Sequence, residues 1–184
     1  MHSIYWWSLT ALEGGYHGRT YGAMAVTKSK TVYSEGTAPL MVSRLFYIIT
    51  LCSKGSVQPG VFQIPYPYWH QLNLPRSTSE DQIAKQSLYQ LDLLLKQQTS
   101  PNDTAAIIIE PVLGEGGYVP ASAAYLRGLR DICDQNNILL IVDEIQCGFG
   151  RTGKNFYIEN SGVKPDIMIV AKVNNPPGYT DLCY

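Results

Sequence analysis

The sequence is poor in the residues that mark several common classes of protein. Only four of its 184 residues are cysteines, and their spacing contains no CxxC pair, which argues against a structural zinc site and a disulfide scaffold. The net charge is −1 and charged residues make up 16%, so without a Lys/Arg cluster we expect no nucleic-acid partner. The longest apolar run, residues 45–51, is too short to cross a bilayer, and we expect no membrane span and no metal.

What the sequence does contain is an alternation of apolar helices and strands in its second half. Apolar residues at helical spacing predict helices over residues 87–97 and 123–136. Nearly continuous apolar runs predict buried strands over residues 105–110, 138–142 and 167–170. A strand–helix–strand–loop–strand order implies a parallel sheet with right-handed crossovers, so we expect an α/β fold.

The first third and the end of the chain give weaker signals. Residues 14–27 indicate a turn that leads into a helix of small residues, and residues 59–70 are proline-rich and extended, with no room for a helix. Residues 42–58 show no polar face at helical or strand spacing, and residues 173–184 do not continue the alternation of helices and strands. Both segments begin with Val, whose codons begin GT, and the first ends in Gln, which CAG encodes. We therefore interpret both as retained intron sequence.

Three chemically useful side chains follow the predicted strands, namely Glu110, Asp143 and Lys172. In parallel sheets, ligands bind at the carboxyl ends of the strands. A lysine amine in an apolar pocket is a nucleophile that can bond to a carbonyl carbon, and an acid beside it can pair with a pyridinium nitrogen. The ordinary alternative is that Lys172 extends its amine to the surface and that the acids face solvent. The spacing alone does not decide between this alternative and a catalytic site.

Four motifs in a fixed order decide between these interpretations. They are LIVDEIQCGFGRTG at residues 140–153, PDI with AK within residues 165–172, IEPVLGEGG at residues 109–117 and GYHGRT at residues 15–20. Together they resemble the signature of the class III pyridoxal-phosphate-dependent aminotransferases, and most of all the 4-aminobutyrate and acetylornithine/ornithine branch. The resemblance covers most of the chain outside the two foreign segments and the first dozen residues.

The resemblance implies a fold-type I enzyme and a set of contacts with pyridoxal 5′-phosphate. Lys172 would bind the cofactor covalently and then carry a proton, while Asp143 would keep the pyridine nitrogen protonated. Tyr16 and Ile145 would pack on opposite faces of the ring, and Gln146 would donate a hydrogen bond to the 3′ oxygen. Tyr16 and Ile145 as ordinary core residues remain the alternative.

The resemblance also implies contacts with the substrate. Arg19 would bind a carboxylate through two parallel N–H donors of its guanidinium. The ordinary alternative is that Arg19 forms an ion pair at the surface. Glu115 is similar to the family's switchable acid, which pairs with a C-terminal arginine when a monocarboxylate end is bound, and Glu110 would support the site from close by. His17 is interpreted as structural.

The implied reaction is transamination of an ω-amino acid such as 4-aminobutyrate, with 2-oxoglutarate as the amine acceptor. The implied protein is a homodimer in the cytoplasm, with mitochondria as the alternative. Residues 1–172 would be a partial cofactor-binding large domain interrupted by residues 42–58, and residues 173–184 a tail foreign to the family. The family's phosphate-binding segment and small domain have no counterpart here, so we expect an incomplete version. An inactive fragment and a same-family aminomutase or decarboxylase are the alternatives.

Overall fold

The centre of the molecule is a five-stranded parallel sheet. A computed structural model describes residues 8–33 and 60–172. Its strands in chain order are β1 (Ser8–Leu12), β2 (Val61–Ile64), β3 (Thr104–Ile109), β4 (Val112–Leu113), β5 (Val119–Pro120), β6 (Leu139–Asp143) and β7 (Ile167–Ile169). The sheet has the order β2-β1-β3-β6-β7, and all four of its strand pairs are parallel. The short strands β4 and β5 form a separate antiparallel pair.

Within the described residues, three α-helices accompany the sheet. They are α1 (Tyr21–Val26), α2 (Glu80–Gln97) and α3 (Ala123–Asn136), and single 3₁₀ turns occupy Thr31–Tyr33, Pro101–Asp103 and Tyr157–Asn160. The Ser79 and Ser122 hydroxyls accept hydrogen bonds from the first turns of α2 and α3, which satisfies amides that have no partner within the helix. Helix α3 ends at Asn137, whose left-handed backbone (φ 55°) closes the last turn.

The two faces of the sheet are covered unequally. Buried side chains from alternate positions of β3 and β6, such as Ile107 and Leu140, join Leu91 of α2 and Leu129 of α3 in the main hydrophobic core. The opposite face carries a small cluster around Ile108. Side chains of successive strand residues point to opposite faces, so β3 is apolar almost throughout because both of its faces are packed.

Most of the predicted elements are confirmed, with shifted ends. Helix α3 spans the predicted residues, the strands predicted over 105–110, 138–142 and 167–170 are β3, β6 and β7, and the helix of small residues is α1. Helix α2 begins seven residues earlier than predicted. The segment 60–70 holds no helix and contributes β2.

The sequence analysis assigned no element to the residues of β1, which lies between β2 and β3 in the sheet. The two segments interpreted as foreign, residues 42–58 and 173–184, lie outside the described residues. Within residues 8–33 and 60–172, no helix is both long and apolar enough to cross a membrane. The same residues contain no cluster of three or more His, Cys, Asp or Glu side chains able to bind a metal ion.

The strand order predicts a crevice at the carboxyl ends of β1 and β3. The chain passes from β1 to β2 on one side, and then crosses to β3 on the other side of β1. The loops that follow β1 and β3 therefore leave the sheet in divergent directions. This topological switch point, at the carboxyl ends of the strands, is where open α/β sheets bind ligands.

Candidate active site

The loops after β1 and β3 are joined by a hydrogen bond at the crevice. The backbone amide of Tyr16 donates to Glu110 Oε1 at 2.5 Å, and the amide of Gly114 donates to Glu110 Oε2 at 2.9 Å. Glu110 is 5% exposed. Burial raises the pKa of this carboxyl, an effect that the two amide hydrogen bonds partly oppose. Glu110 thus fixes the loop that carries Tyr16.

Asp143 lies at the end of β6, beside the same crevice. Its Oδ2 is 2.8 Å from His17 Nδ1, and both side chains are 2% exposed. The backbone amide of Ile145 donates to Asp143 Oδ1 at 3.1 Å. A carboxylate oxygen has more than one lone pair, so each oxygen retains the capacity to accept another donor. Because Asp143 is covered in this conformation, such a donor reaches it only after neighbouring side chains shift.

His17, which was interpreted as structural, makes a contact with Asp143 that was not predicted from the sequence. Its Nδ1 faces Asp143, and within the described residues its buried Nε2 has no hydrogen-bond partner. In the neutral ring, Nδ1 therefore carries the hydrogen that Asp143 accepts, and Nε2 is left as an acceptor. The contact joins residues 126 positions apart, and no local pattern in the sequence marks it.

Glu144 is a third buried acid, next to Asp143 in the sequence. It is 0% exposed, and its Oε1 accepts the backbone amide of Ile158 at 2.8 Å. Its Oε2 is 2.8 Å from the sulfur of Cys147. Burial, and next the neighbouring Glu144 carboxylate, raise the pKa of the Cys147 thiol. The thiol therefore keeps its proton and donates a hydrogen bond to the carboxylate. Glu144 also accepts the Ile158 amide, and this contact ties the turn after β6 to the loop before β7.

Gln146 and Glu115 are adjacent on the outer side of the crevice. A Cβ atom on Gly114 would lie 1.7 Å from Gln146 Oε1, so only glycine allows the Gln146 side chain to pack here. Lys30 Nζ is 3.0 Å from Glu115 Oε2. Lys30 is the main cause that lowers the pKa of Glu115, and a hydrogen bond from Gln146 acts in the same direction. In this structure the predicted switchable acid therefore pairs with Lys30.

Arg19 and Tyr16 meet at an aromatic side chain that was not predicted to take part. The rings of Tyr16 and Tyr33 are 5.0 Å apart and inclined at 62°. The guanidinium carbon of the exposed Arg19 lies 5.9 Å from the centre of the Tyr33 ring, within the range of a cation–π contact. Tyr33 therefore links the predicted ring-stacking residue with the predicted carboxylate-binding residue.

Lys172 is exposed and follows β7 by three residues. Its backbone is in the left-handed region, with φ 55°. Arg151 Nη2 donates a hydrogen bond to its carbonyl oxygen. Within the described residues, the Lys172 amine itself makes no hydrogen bond or ion pair. The structure thus joins Glu110 to the Tyr16 amide and Asp143 to the Ile145 amide through direct hydrogen bonds. His17, next to Tyr16 in the sequence, contacts Asp143, but within the described residues no such contact connects Lys172 or Arg19 with Asp143.

Comparison with known proteins identifies the class to which this fold and site belong. The model of the family described as aminotransferase class-III matches residues 7–176. The chain belongs to this family. The match begins at residue 7 and therefore includes β1, beyond the extent that the four motifs indicated.

Curated relatives carry the names of several aminotransferases. The chain is 59% identical over 164 residues to acetylornithine aminotransferase of Rhodobacter capsulatus, covering 89% of this chain and 31% of the relative. It is 38% identical over 162 residues to 5-aminovalerate aminotransferase DavT of Pseudomonas putida, covering 88% and 32%. It is 37% identical over 163 residues to 4-aminobutyrate aminotransferase GabT of Escherichia coli, covering 88% of this chain and 32% of the relative. The chain spans about a third of the length of these relatives.

Solved structures agree with this assignment. An (S)-enantioselective ω-transaminase from Thermomicrobium roseum superposes with a TM-score of 0.74 at 28% identity, covering 90% of this chain and 32% of that chain. The ω-transaminase from Pseudomonas jessenii in complex with PMP gives 0.72, also at 28% identity, with the same coverage. The predicted fold class, a mainly parallel α/β sheet of the pyridoxal-phosphate-dependent transaminases, is confirmed.

The family's cofactor is pyridoxal 5′-phosphate, and the residues of the crevice fit its ring. Asp143 is a buried carboxylate with spare acceptor capacity, as a protonated ring nitrogen needs. Gln146 has a buried side-chain oxygen without a hydrogen-bond partner within the described residues, which is typical of a polar site that a ligand completes. Lys172 offers an amine that no described residue engages.

Proposed function

We propose that a protein carrying this chain transfers the amine of an ω-amino acid, such as 4-aminobutyrate, to 2-oxoglutarate with pyridoxal 5′-phosphate as cofactor. The observation that carries this proposal is the buried Asp143, held by His17 at the switch point of a parallel sheet. Membership of the aminotransferase class-III family supports the reaction type. The names of the DavT and GabT relatives support a donor whose amine lies at the end opposite its carboxylate.

The bound cofactor would supply a ring that withdraws electrons from the bond to be broken at the amine-bearing carbon. Asp143 would keep a proton on the ring nitrogen, because a buried carboxylate favours a positive charge beside it. His17 and the Ile145 amide would hold the Asp143 carboxylate in one orientation. Tyr16, fixed by Glu110 through its backbone amide, and Ile145 would pack on the two ring faces and keep water away.

Lys172 would bind the cofactor through its amine and later move the proton at the substrate carbon. Gln146 would orient the ring through a hydrogen bond with its 3′ oxygen. Arg19 would bind a carboxylate of the substrate, since a guanidinium presents two parallel donors. Glu115, paired with Lys30, would change partners between the two half-reactions.

The test is covalent capture of the cofactor. The purified chain is incubated with pyridoxal 5′-phosphate, reduced with borohydride and mapped by mass spectrometry. We expect the label on Lys172, with Lys154 and Lys164, two other lysines of the 144–172 segment, as internal controls. A label spread evenly over the lysines, or none on Lys172, would contradict the proposed site.

The donor is tested separately, in the protein that carries this chain. Turnover is compared for 4-aminobutyrate, 5-aminovalerate and N-acetylornithine, each with 2-oxoglutarate and with pyruvate as acceptor. We expect glutamate as the product, and a rate with 2-oxoglutarate above that with pyruvate. Release of carbon dioxide, or an amine moved within one molecule, would replace the proposal with the decarboxylase or aminomutase alternative. A homodimer and a cytoplasmic location remain part of the proposal.

A further inference from the structure

We infer that Arg151 is a positioning residue that sets the backbone of Lys172 against the turn that carries Ile145 and Gln146. This inference rests on the proposed role of Lys172. Arg151 Nη1 donates to the carbonyl of Gly148 at 2.9 Å, and Nη2 of the same guanidinium donates to the carbonyl of Lys172. One side chain thus joins the loop after β6 to the segment after β7.

The conformation of Lys172 explains why such a contact is needed. A residue with a side chain in the left-handed region is disfavoured by about 1–2 kcal/mol relative to right-handed backbone. Lys172 has φ 55° and lies beyond the last ladder residue, Ile169. Strained backbone persists where the surroundings hold it. The hydrogen bond from Arg151 is the contact that the structure provides at the Lys172 carbonyl.

The other end of the contact lies on a rigid turn. The Gly148 amide donates to the Glu144 carbonyl at 2.8 Å, which closes a turn over Ile145 and Gln146. A Cβ atom on Gly148 would lie 2.8 Å from that carbonyl oxygen and 3.1 Å from the Phe156 ring, so the turn has little room to shift. The Glu144 amide in turn donates to the Ile169 carbonyl at 2.9 Å.

The geometry requires arginine. The planar guanidinium presents two nitrogens in a fixed arrangement, whereas a lysine ammonium is a single point that cannot reach two carbonyls in the same way. Arg151→Lys therefore keeps the charge and removes the double contact. Arg127 provides a matched control, because it is also an exposed arginine that donates to a backbone carbonyl, that of Ser161 at 3.2 Å, outside the crevice.

The first measurement needs no cofactor. Amide hydrogen exchange is compared for the parent chain, Arg151→Lys and Arg127→Lys, after circular dichroism has established that all three are folded. We expect Arg151→Lys to accelerate exchange about tenfold in peptides that cover residues 144–153 and 166–172, as loss of a charged hydrogen bond worth about 1.4 kcal/mol implies. Arg127→Lys should leave both peptides unchanged. Equal exchange in the parent and Arg151→Lys would overturn the inference.

The second measurement uses the cofactor. We expect borohydride capture of pyridoxal 5′-phosphate on Lys172 to slow about tenfold in Arg151→Lys and in Arg151→Gly. Free guanidinium, but not ammonium, should restore capture in Arg151→Gly, a rescue that a general loss of stability would not show. Equal capture rates would refute the role of Arg151. Absence of capture in the parent would refute the proposed function instead, and the exchange experiment would still decide the role of Arg151.

Discussion

The crevice has two parts that differ in how their charges are held. The buried acids Glu110, Asp143 and Glu144 are 5%, 3% and 0% exposed, and each accepts at least two hydrogen bonds from within the chain. The outer pair of Lys30 and Glu115 has side chains 53% and 30% exposed. A buried charge that loses a partner is strongly penalised, whereas an exposed ion pair exchanges with water at little cost.

This difference in burial suits the two parts of the crevice to two different tasks, holding a fixed geometry and changing partners. The buried acids fix the positions of backbone segments and of His17, so the chain itself determines their geometry. Groups on the outer side, such as Arg19 and Glu115, would be able to change partners, as the proposed recognition of two different substrates requires. We therefore expect substitutions in the first set to affect chemistry or stability strongly, and substitutions in the second to affect mainly substrate preference.

The largest effect is expected from Asp143→Asn, in the protein that carries this chain. An amide keeps the shape of the carboxylate but cannot balance the positive ring nitrogen, so turnover should fall about a thousandfold. Capture of the cofactor on Lys172 should persist, because the lysine amine is unchanged, and this serves as the control. Steady-state kinetics with borohydride labelling measures both. Normal turnover would remove Asp143 from the active site.

A smaller effect is expected from Glu144→Ala, which leaves the Ile158 amide and the Cys147 thiol without their buried partner. The free energy of unfolding should fall by about 3 kcal/mol. Glu115→Ala is the matched control, and removal of its exposed ion pair should cost less than about 1 kcal/mol. Urea denaturation of the two variants provides the comparison. Equal losses would show that burial does not distinguish the two parts of the crevice.

The smallest expected effect is a change in the pH dependence of the free energy of unfolding in the variant Glu110→Gln. Burial raises the pKa of this carboxyl above its ordinary value of 4.5, so the folded state holds the proton more tightly than the unfolded state. Its contribution to stability is complete below the ordinary pKa and is lost as the pH rises through the raised value. Glu110→Gln should remove this dependence. Urea denaturation of both proteins from about pH 4 to about pH 7 tests it, and parallel pH profiles would contradict the assignment.

Parts of this arrangement follow from local sequence, and others do not. Helix α3 was predicted with its observed bounds because its apolar residues recur at helical spacing. The first turns of α2, beginning with Glu80, are polar, and their start depends on the cap at Ser79. Strand β1, with the sequence SLTAL, is short and half polar, and it is a strand because β2 and β3 pair with it on both sides.

The same division holds for the site. Asp143 and Glu110 could be predicted because each follows a strongly apolar strand. The contacts of His17, Lys30 and Tyr33 depend on β1 lying next to β3 and near β6, and this neighbourhood exists only in the folded sheet. The motif that contains His17 was recognised by resemblance, but the partner of its ring was not.

The position of β1 in the sheet has a consequence for biosynthesis. Strand β1 is flanked by β2 and β3, which both follow it along the chain, and the His17–Asp143 contact spans 126 residues. At about 5–20 residues per second, the ribosome needs roughly 6–25 s to go from one partner to the other. Through this interval the Asp143 partner of His17 is absent, whereas β1 has an unpaired edge only until β3 has been synthesised. Contacts of such separation also slow folding, so we expect the His17–Asp143 contact to form only after β6 has been synthesised.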